Sequence, residues 1–371
     1  MFRLCVVWTL AAVGAQSASF SLQTNAFLPP TIGRKNPCIG RSSHVDSSRR
    51  AAASSPSEDI RYIAGRRALL IRPPDSSSSD HPPLVILGGM AQSIASWEFH
   101  LPNLSRHRTV LVYEALGQGP PPPDEILSLD GKEVALERYY DNVTLERQGN
   151  DFWDVIDEAF GTKEKVDVAG FSFGGRLAMA AASVKSNRIR RLHLTGVGAE
   201  REELANVILA SWKEMLGSGN DEVEMGEEEC TSRLRSFAWS IILATYSDEM
   251  LASSGPERVS SWVDAVCRHN TQEGLRAIAM QTHDGAGSMW TPAAMAERMQ
   301  SSNAIERYRI VVGSQDKMAT PAQAKKLAKL LQANEVREDE TFNVIEGCGH
   351  AVPMETMRVW REDVLGFLNS E

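Results

Sequence analysis

The stretch Val166-Asp167-Val168-Ala169-Gly170-Phe171-Ser172-Phe173-Gly174-Gly175-Arg176, running straight into Leu177-Ala178-Met179-Ala180-Ala181-Ala182, decides the fold. Its first four residues read as a short buried strand and its last six as a good helix former. Between them, Gly-x-Ser-x-Gly leaves no room for a loop. A strand that turns into a helix this sharply needs glycines on both sides of the turn, because side chains there would clash, and it leaves the serine exposed at the helix N-terminus. About one chain in ten of this length would carry the five-residue pattern by chance at average usage. The weight of the signal therefore rests on its position between strand and helix.

Outward from this turn, from about Asp59 onward, short β-branched runs alternate with helical patterns, the signature of a mostly parallel sheet flanked by helices. Residues 62–72 read as a leading strand or hairpin, and Leu84-Val85-Ile86-Leu87 as a buried strand ending in Gly88-Gly89. A second such strand, 109–113, ends at Glu114-Ala115-Leu116-Gly117-Gln118-Gly119, and the four prolines 120–123 stop any helix there. Residues 145–160 have helical spacing, with Phe152, Val155, Ile156 and Phe160 on one face. A strand at 191–196 precedes a segment, roughly 200–305, that holds helical patterns without a strand and is expected to form a lid. The sheet resumes at 308–312, Thr320-Pro321 opens a helix to about Leu331, and a last strand at 342–345 leads to Gly347-Cys348-Gly349-His350 and a closing helix. The expected architecture is an α/β domain over residues 56–371, with the helical lid inserted before the strand that carries an acid.

Serine at its resting pKa is a poor nucleophile, so it needs a base, and the base needs a third group to hold its tautomer and stabilise its charge. Asp316, just past a strand in Gly313-Ser314-Gln315-Asp316, fits the acid, with Asp284 as the alternative, and His350 in its glycine-flanked loop fits the base. A tetrahedral intermediate also needs donors for its oxyanion: the backbone N–H of Phe173 and, from the loop after the Leu84 strand, that of Met90. His81, His100, His107, His193 and His283 read as surface or packing residues, and Trp212, Trp239, Trp262, Met289 and Trp290 as the core of the lid.

Gly88-Gly89 with Trp97 downstream, Gly117-Gln118-Gly119, the turn at Ser172, Asp316 and Gly349-His350 occur in one order. With these landmarks the chain from about residue 60 to its end resembles the α/β-hydrolase superfamily. The resemblance implies a serine hydrolase acting on a carboxylic ester or related acyl substrate, with a small and hydrophobic substrate and no cofactor. Where that family frequently has His-Gly, this chain has Gly88-Gly89. The run Gly170-Phe171-Ser172-Phe173-Gly174-Gly175-Arg176 also resembles the menaquinone-pathway SHCHC synthase, a lyase that eliminates pyruvate with the same triad. That likeness implies a substrate carboxylate held by Arg176, a bidentate task suited to a guanidinium, although Phe171 stands where that family has Tyr. A third reading is a non-catalytic ligand-binding protein on the same fold, against which the intact serine and histidine argue.

Composition narrows the partners. The chain has 371 residues and net charge −9, and its first 50 residues carry Arg3, Arg34, Lys35, Arg41, Arg49 and Arg50 against Asp46 alone. The body is therefore strongly acidic, which argues against nucleic acid or an anionic membrane as partner. The run Asp221 to Glu229 reads as a solvated loop. Of five cysteines, Cys5 and Cys38 precede the domain, and Cys230, Cys267 and Cys348 remain. Neither a disulfide framework nor a metal site is indicated, and Cys267 and His269 read as structural. Phe237 to Tyr246, the most apolar stretch of the domain, is too short to span a membrane and is expected in a buried helix.

Residues 1–19 have the positive start, apolar centre and small-residue end of a signal peptide, and residues 20–55 are rich in Ser, Arg and Pro with almost no acid, as in a transit peptide. The junction Ser17-Ala18-Ser19-Phe20 resembles the bipartite plastid presequence of algae with secondary plastids. Secretion is the alternative destination, kept open by the sequon Asn142-Val143-Thr144. A fluorescent protein fused behind residues 1–60 is expected to collect in the plastid. Signal confined to the secretory pathway would overturn that address.

Overall fold

A strand covered on both faces needs apolar side chains in both directions, so it reads as an unbroken apolar run. The computed structural model describes residues 60–73, 81–123, 128–129, 132–133, 139–140, 142–217, 227–281, 288–302, 305–331 and 341–370. Residues 1–55, His283 and Asp284 lie outside the described residues. β1 (Ile60–Ile63) and β2 (Arg66–Ile71) form an antiparallel hairpin. β3 (Leu84–Leu87) and β4 (Val110–Tyr113) are buried at every position, followed by β5 (Val166–Phe171), β6 (Ile189–Thr195), β7 (Arg307–Gly313) and β8 (Phe342–Ile345).

They make one eight-stranded sheet in the order β1-β2-β4-β3-β5-β6-β7-β8. β2 joins β4 antiparallel, and every pair from β4 to β8 is parallel. Side chains alternate between two cores: Val85, Leu87, Leu111 and Tyr113 face one, and Leu84, Ile86, Val110 and Val112 the other. β5 runs two residues beyond the strand read from sequence, because Gly170 and Phe171 still pair with Leu194 and Thr195 of β6. The parallel strands all end at one edge, where Gly88, Ser172, Gly196, Asp316 and His350 follow β3, β5, β6, β7 and β8.

The helices are α1 (Leu101–Leu104), α2 (Leu145–Phe160), α3 (Phe173–Val184), α4 (Glu203–Leu216), α5 (Glu227–Thr245), α6 (Asp248–His269), α7 (Gln272–Gln281), α8 (Pro292–Ser302), α9 (Pro321–Leu331), α10 (Val352–Glu355) and α11 (Met357–Asn369). α2 starts where Thr144 accepts the Arg147 N–H at 3.2 Å, a side-chain N-cap. It buries Phe152, Trp153, Val155 and Ile156 against the alanine-rich α3. α2, α3, α8 and α9 supply one core, and α1 and α11 the other.

Between β6 and β7 lie α4 to α8. α4 to α7 share a third core around Trp212, Phe237, Val263 and Leu275. Phe237 and Ala238 are buried inside α5, and among the described residues no helix is long and apolar enough to cross a membrane. Two sequence readings need correcting. Glu227, Glu228 and Glu229 belong to the first turn of α5 rather than to a loop, while residues 221–226 of the acidic run lie outside the described residues. Trp290 packs against the main core and Met289 is exposed, so neither belongs to the lid core.

His100 shows what the second core demands. It is fully buried, with ring centroids 5.6 Å from Trp97 and 4.8 Å from Trp360, and neither ring nitrogen has a hydrogen-bond partner among the described residues. Burial, reinforced by the Arg361 charge, pushes its pKa down to about 4. An unfolded chain protonates the same ring near about 6.5. Between those values the unfolded state takes up a proton that the folded state refuses, so stability falls as pH drops through that window and is unaffected above it. The loss approaches about 3 kcal/mol near pH ~4. His100→Phe should flatten this part of the stability–pH curve measured by urea unfolding. An unchanged slope would show that His100 does not cause it.

Candidate active site

Ser172 takes φ 53° and ψ −115° at the end of β5, a conformation that costs a non-glycine residue about 1–3 kcal/mol. Its neighbours hold it there. The Ser172 N–H donates to the Thr195 carbonyl of β6 at 2.8 Å, and the Ser172 carbonyl accepts the Arg176 N–H at 3.1 Å. A Cβ on Gly170 would lie 2.6 Å from Gly175 Cα, and one on Gly174 would lie 2.3 Å from the Leu87 carbonyl oxygen. The two flanking glycines let α3 start against the ends of β5 and β3.

Ser172 Oγ lies 2.8 Å from His350 Nε2, and His350 Nδ1 lies 2.7 Å from Asp316 Oδ2. A carboxylate only accepts, so Nδ1 carries the proton and Nε2 is left to accept from the serine hydroxyl. The other Asp316 oxygen accepts the Met318 N–H at 2.8 Å and the Ala319 N–H at 2.7 Å. Asp316 and His350 are each 4% exposed, while Ser172 faces a cavity of about 1160 Å³. The three residues read from motif and chain order, the outer two 178 positions apart, thus meet through two hydrogen bonds.

Met90 and Phe173 also face the cavity. The Met90 loop is held by side chains that the sequence did not single out. Gln118 Nε2 donates to the Gly89 carbonyl at 2.5 Å, Gln92 Oε1 accepts the Gly89 N–H at 2.8 Å, and Asn270 Nδ2 donates to the Ala91 carbonyl at 3.1 Å. Gln118 stands inside the Gly-Gln-Gly landmark, so its chemistry was readable. Asn270 belongs to the joint after α6 and left no signal.

Arg176, on the first turns of α3, lines the same cavity. The insertion supplies one side of the apolar wall, with Leu209, Ile241, Ile242 and Val266. Trp212 and Trp262 likewise line the cavity as well as packing within the lid. His269, read as structural, lies in the wall too, and burial, then Arg268, lowers its pKa. Cys348 is buried behind His350, and burial followed by the Glu355 charge pushes its thiol up to about 12, which makes it unreactive at neutral pH. Among the described residues no cluster of His, Cys, Asp or Glu could hold a metal ion.

The profile of the alpha/beta hydrolase family matches residues 84–362. The 2-hydroxy-6-oxo-2,4-heptadienoate hydrolase of Pseudomonas putida is 24% identical over 298 residues, spanning 78% of this chain and 90% of its own. The enol-lactonase of Burkholderia xenovorans superposes with TM-score 0.61 at 16% identity over 84% of this chain and all of its own. An alpha/beta hydrolase from a Medee basin deep-sea metagenome library gives TM-score 0.61 at 17% identity over 82% and 95% of the two chains. The family match takes in β3, the Ser172 turn, Asp316 and His350, and with the order of the sheet it has one meaning: the chain belongs to the alpha/beta hydrolase family.

Proposed function

We propose that the protein hydrolyses a carboxylic ester or related acyl substrate with Ser172 as nucleophile, His350 as base and Asp316 as the residue that orients and stabilises it. The observation that carries this reading is the Ser172–His350–Asp316 chain of hydrogen bonds at the wall of the cavity. Ser172 Oγ attacks the carbonyl carbon as His350 Nε2 takes its proton, and the charge of the imidazolium is balanced by Asp316. The carbonyl oxygen becomes an oxyanion that accepts from the Met90 and Phe173 amides, each such donor contributing about 3 kcal/mol. Collapse expels the alcohol, which leaves with the proton from His350. Water then repeats the attack on the acyl-serine with His350 again as base, which releases the acid and restores Ser172.

The apolar wall from the insertion favours a hydrophobic group on one side of the carbonyl. Arg176 favours a second feature, a carboxylate on the substrate, held by its guanidinium close to the nucleophile. The P. putida relative is named for an oxo-dienoate, and the elimination of pyruvate would draw on the same arginine and triad.

Ser172→Ala and His350→Ala should each abolish labelling by a fluorophosphonate probe and lower ester kcat by about 10⁴-fold or more. Asp316→Asn, which offers His350 the wrong hydrogen-bond partner, should cost about 10⁴-fold. Full turnover by a folded Ser172→Ala protein would remove the nucleophile from the mechanism. Arg176→Ala should lower kcat/KM for an ester bearing a free carboxylate at least about tenfold more than for its neutral counterpart, a difference of about 1.4 kcal/mol. Equal losses on the two esters would end the carboxylate assignment.

A further inference from the structure

His350 is held from two sides by the Ser172 and Asp316 side chains, but its backbone is held by the helical insertion. The insertion reaches it through the joint between α5 and α6, residues Tyr246 and Ser247. On one flank of His350, the Ala351 N–H donates to the Thr245 carbonyl, the last residue of α5, at 2.9 Å. On the other flank, the Gly349 N–H donates to Glu355 Oε1 at 2.9 Å. The same carboxylate accepts from the joint: the Ser247 N–H at 3.2 Å to each oxygen, and the Ser247 hydroxyl at 2.5 Å to Oε2.

Ser247 Oγ in turn accepts the Met250 N–H at 3.2 Å as the N-cap of α6, so one carboxylate joins the start of a lid helix to the loop of the base. The fit is tight. A Cβ on Gly349 would lie 2.6 Å from the Ser247 nitrogen and 2.7 Å from the Thr245 carbonyl oxygen, so glycine is what lets the joint lie flat on the histidine loop. The Ala351 N–H is therefore committed to the insertion directly, and the Gly349 N–H to a carboxylate that the α5–α6 joint also holds.

We propose that Glu355 is a positioning residue that couples the lid to the base, fastening the α5–α6 joint to the loop of His350 so that His350 is aligned between Ser172 and Asp316 only when that end of the lid is in place. The inference rests on the reading of Ser172 and His350 as nucleophile and base. Substrate binding draws mainly on the apolar wall and on Arg176, so loss of the tie acts on the chemical step more than on affinity.

The test is steady-state turnover of a short p-nitrophenyl ester by the full chain and by Glu355→Ala, Glu355→Gln, Ser247→Ala and the Glu355→Ala/Ser247→Ala double variant, with circular dichroism to establish folding. Glu355→Ala is expected to lower kcat by about tenfold or more while KM stays within about threefold. Glu355→Gln keeps an acceptor for Gly349 and should recover part of the loss. The double variant should be no slower than Glu355→Ala, because both substitutions break one connection. Should Glu355→Ala fail to fold, Ser247→Ala carries the test, with the same split between kcat and KM. Unchanged kcat in the folded single variants, a rise in KM matching the fall in kcat, or full additivity in the double variant would overturn the proposal. If instead the wild-type chain and Ser172→Ala turn over the ester alike, the reading of the triad has failed, and that outcome is separate.

Discussion

The structure depends on one backbone constraint: Ser172 sits at positive φ between the last paired residue of β5 and the first turn of α3. A serine does not choose this conformation. It is imposed by the bond from Ser172 N–H to Thr195, by the pairing of Phe171 with β6, and by an alanine-rich helix that must pack at once against β3 and α2. The strain is a small fraction of what the buried strand and helix gain by packing. The same geometry places the Phe173 amide at the helix N-terminus and turns Oγ outward, so the proposed nucleophile and oxyanion donor follow from one turn.

Around this turn, the strand ends are fixed by polar side chains buried beside them. Gln118 is 7% exposed, Asn270 6%, and both are committed to backbone groups of the Met90 loop. Glu114 accepts the Ile94 N–H at 2.9 Å and an Arg67 bond at 2.8 Å, and its burial raises its pKa. Such groups are costly to bury unless their partners are present, and losing one partner leaves the other uncompensated. They hold the loops to one geometry for that reason. An apolar filling of the same space would pack without specifying where an amide points.

Much of this was legible in the sequence because the signals are local. The unbroken apolar run of β3 and the Thr320-Pro321 opening of α9 are each contained in a few residues, and the order of Ser172, Asp316 and His350 is a property of the chain itself. What escaped reading is long-range. Asn270 reaches Ala91 across 179 positions, Ser247 reaches Glu355 across 108, and Arg108 reaches Asp167 in β5 across 59. Each is a polar residue whose partner cannot be inferred from its neighbours. The insertion was equally opaque, because its helices bury two kinds of surface, one toward their own core and one toward the cavity, and a sequence pattern does not separate them. Trp212 does both.

That double duty divides the molecule between a sheet and a helical unit. The Ser172 turn, Asp316 and His350 follow strands of the sheet, whereas one side of the apolar wall comes from helices that pack mainly with one another. A helical unit with its own core can drift in sequence and reshape the wall without disturbing β3 to β8. It is still fastened where it matters: at Asn270 to the Met90 loop and at Ser247 and Thr245 to the loop of His350. These two fastenings fall on the loops of Met90 and His350, the proposed oxyanion donor and base. The helical insertion therefore touches the loops that flank the Ser172–His350 pair, so the shape of the cavity wall and the geometry of that pair share a physical connection.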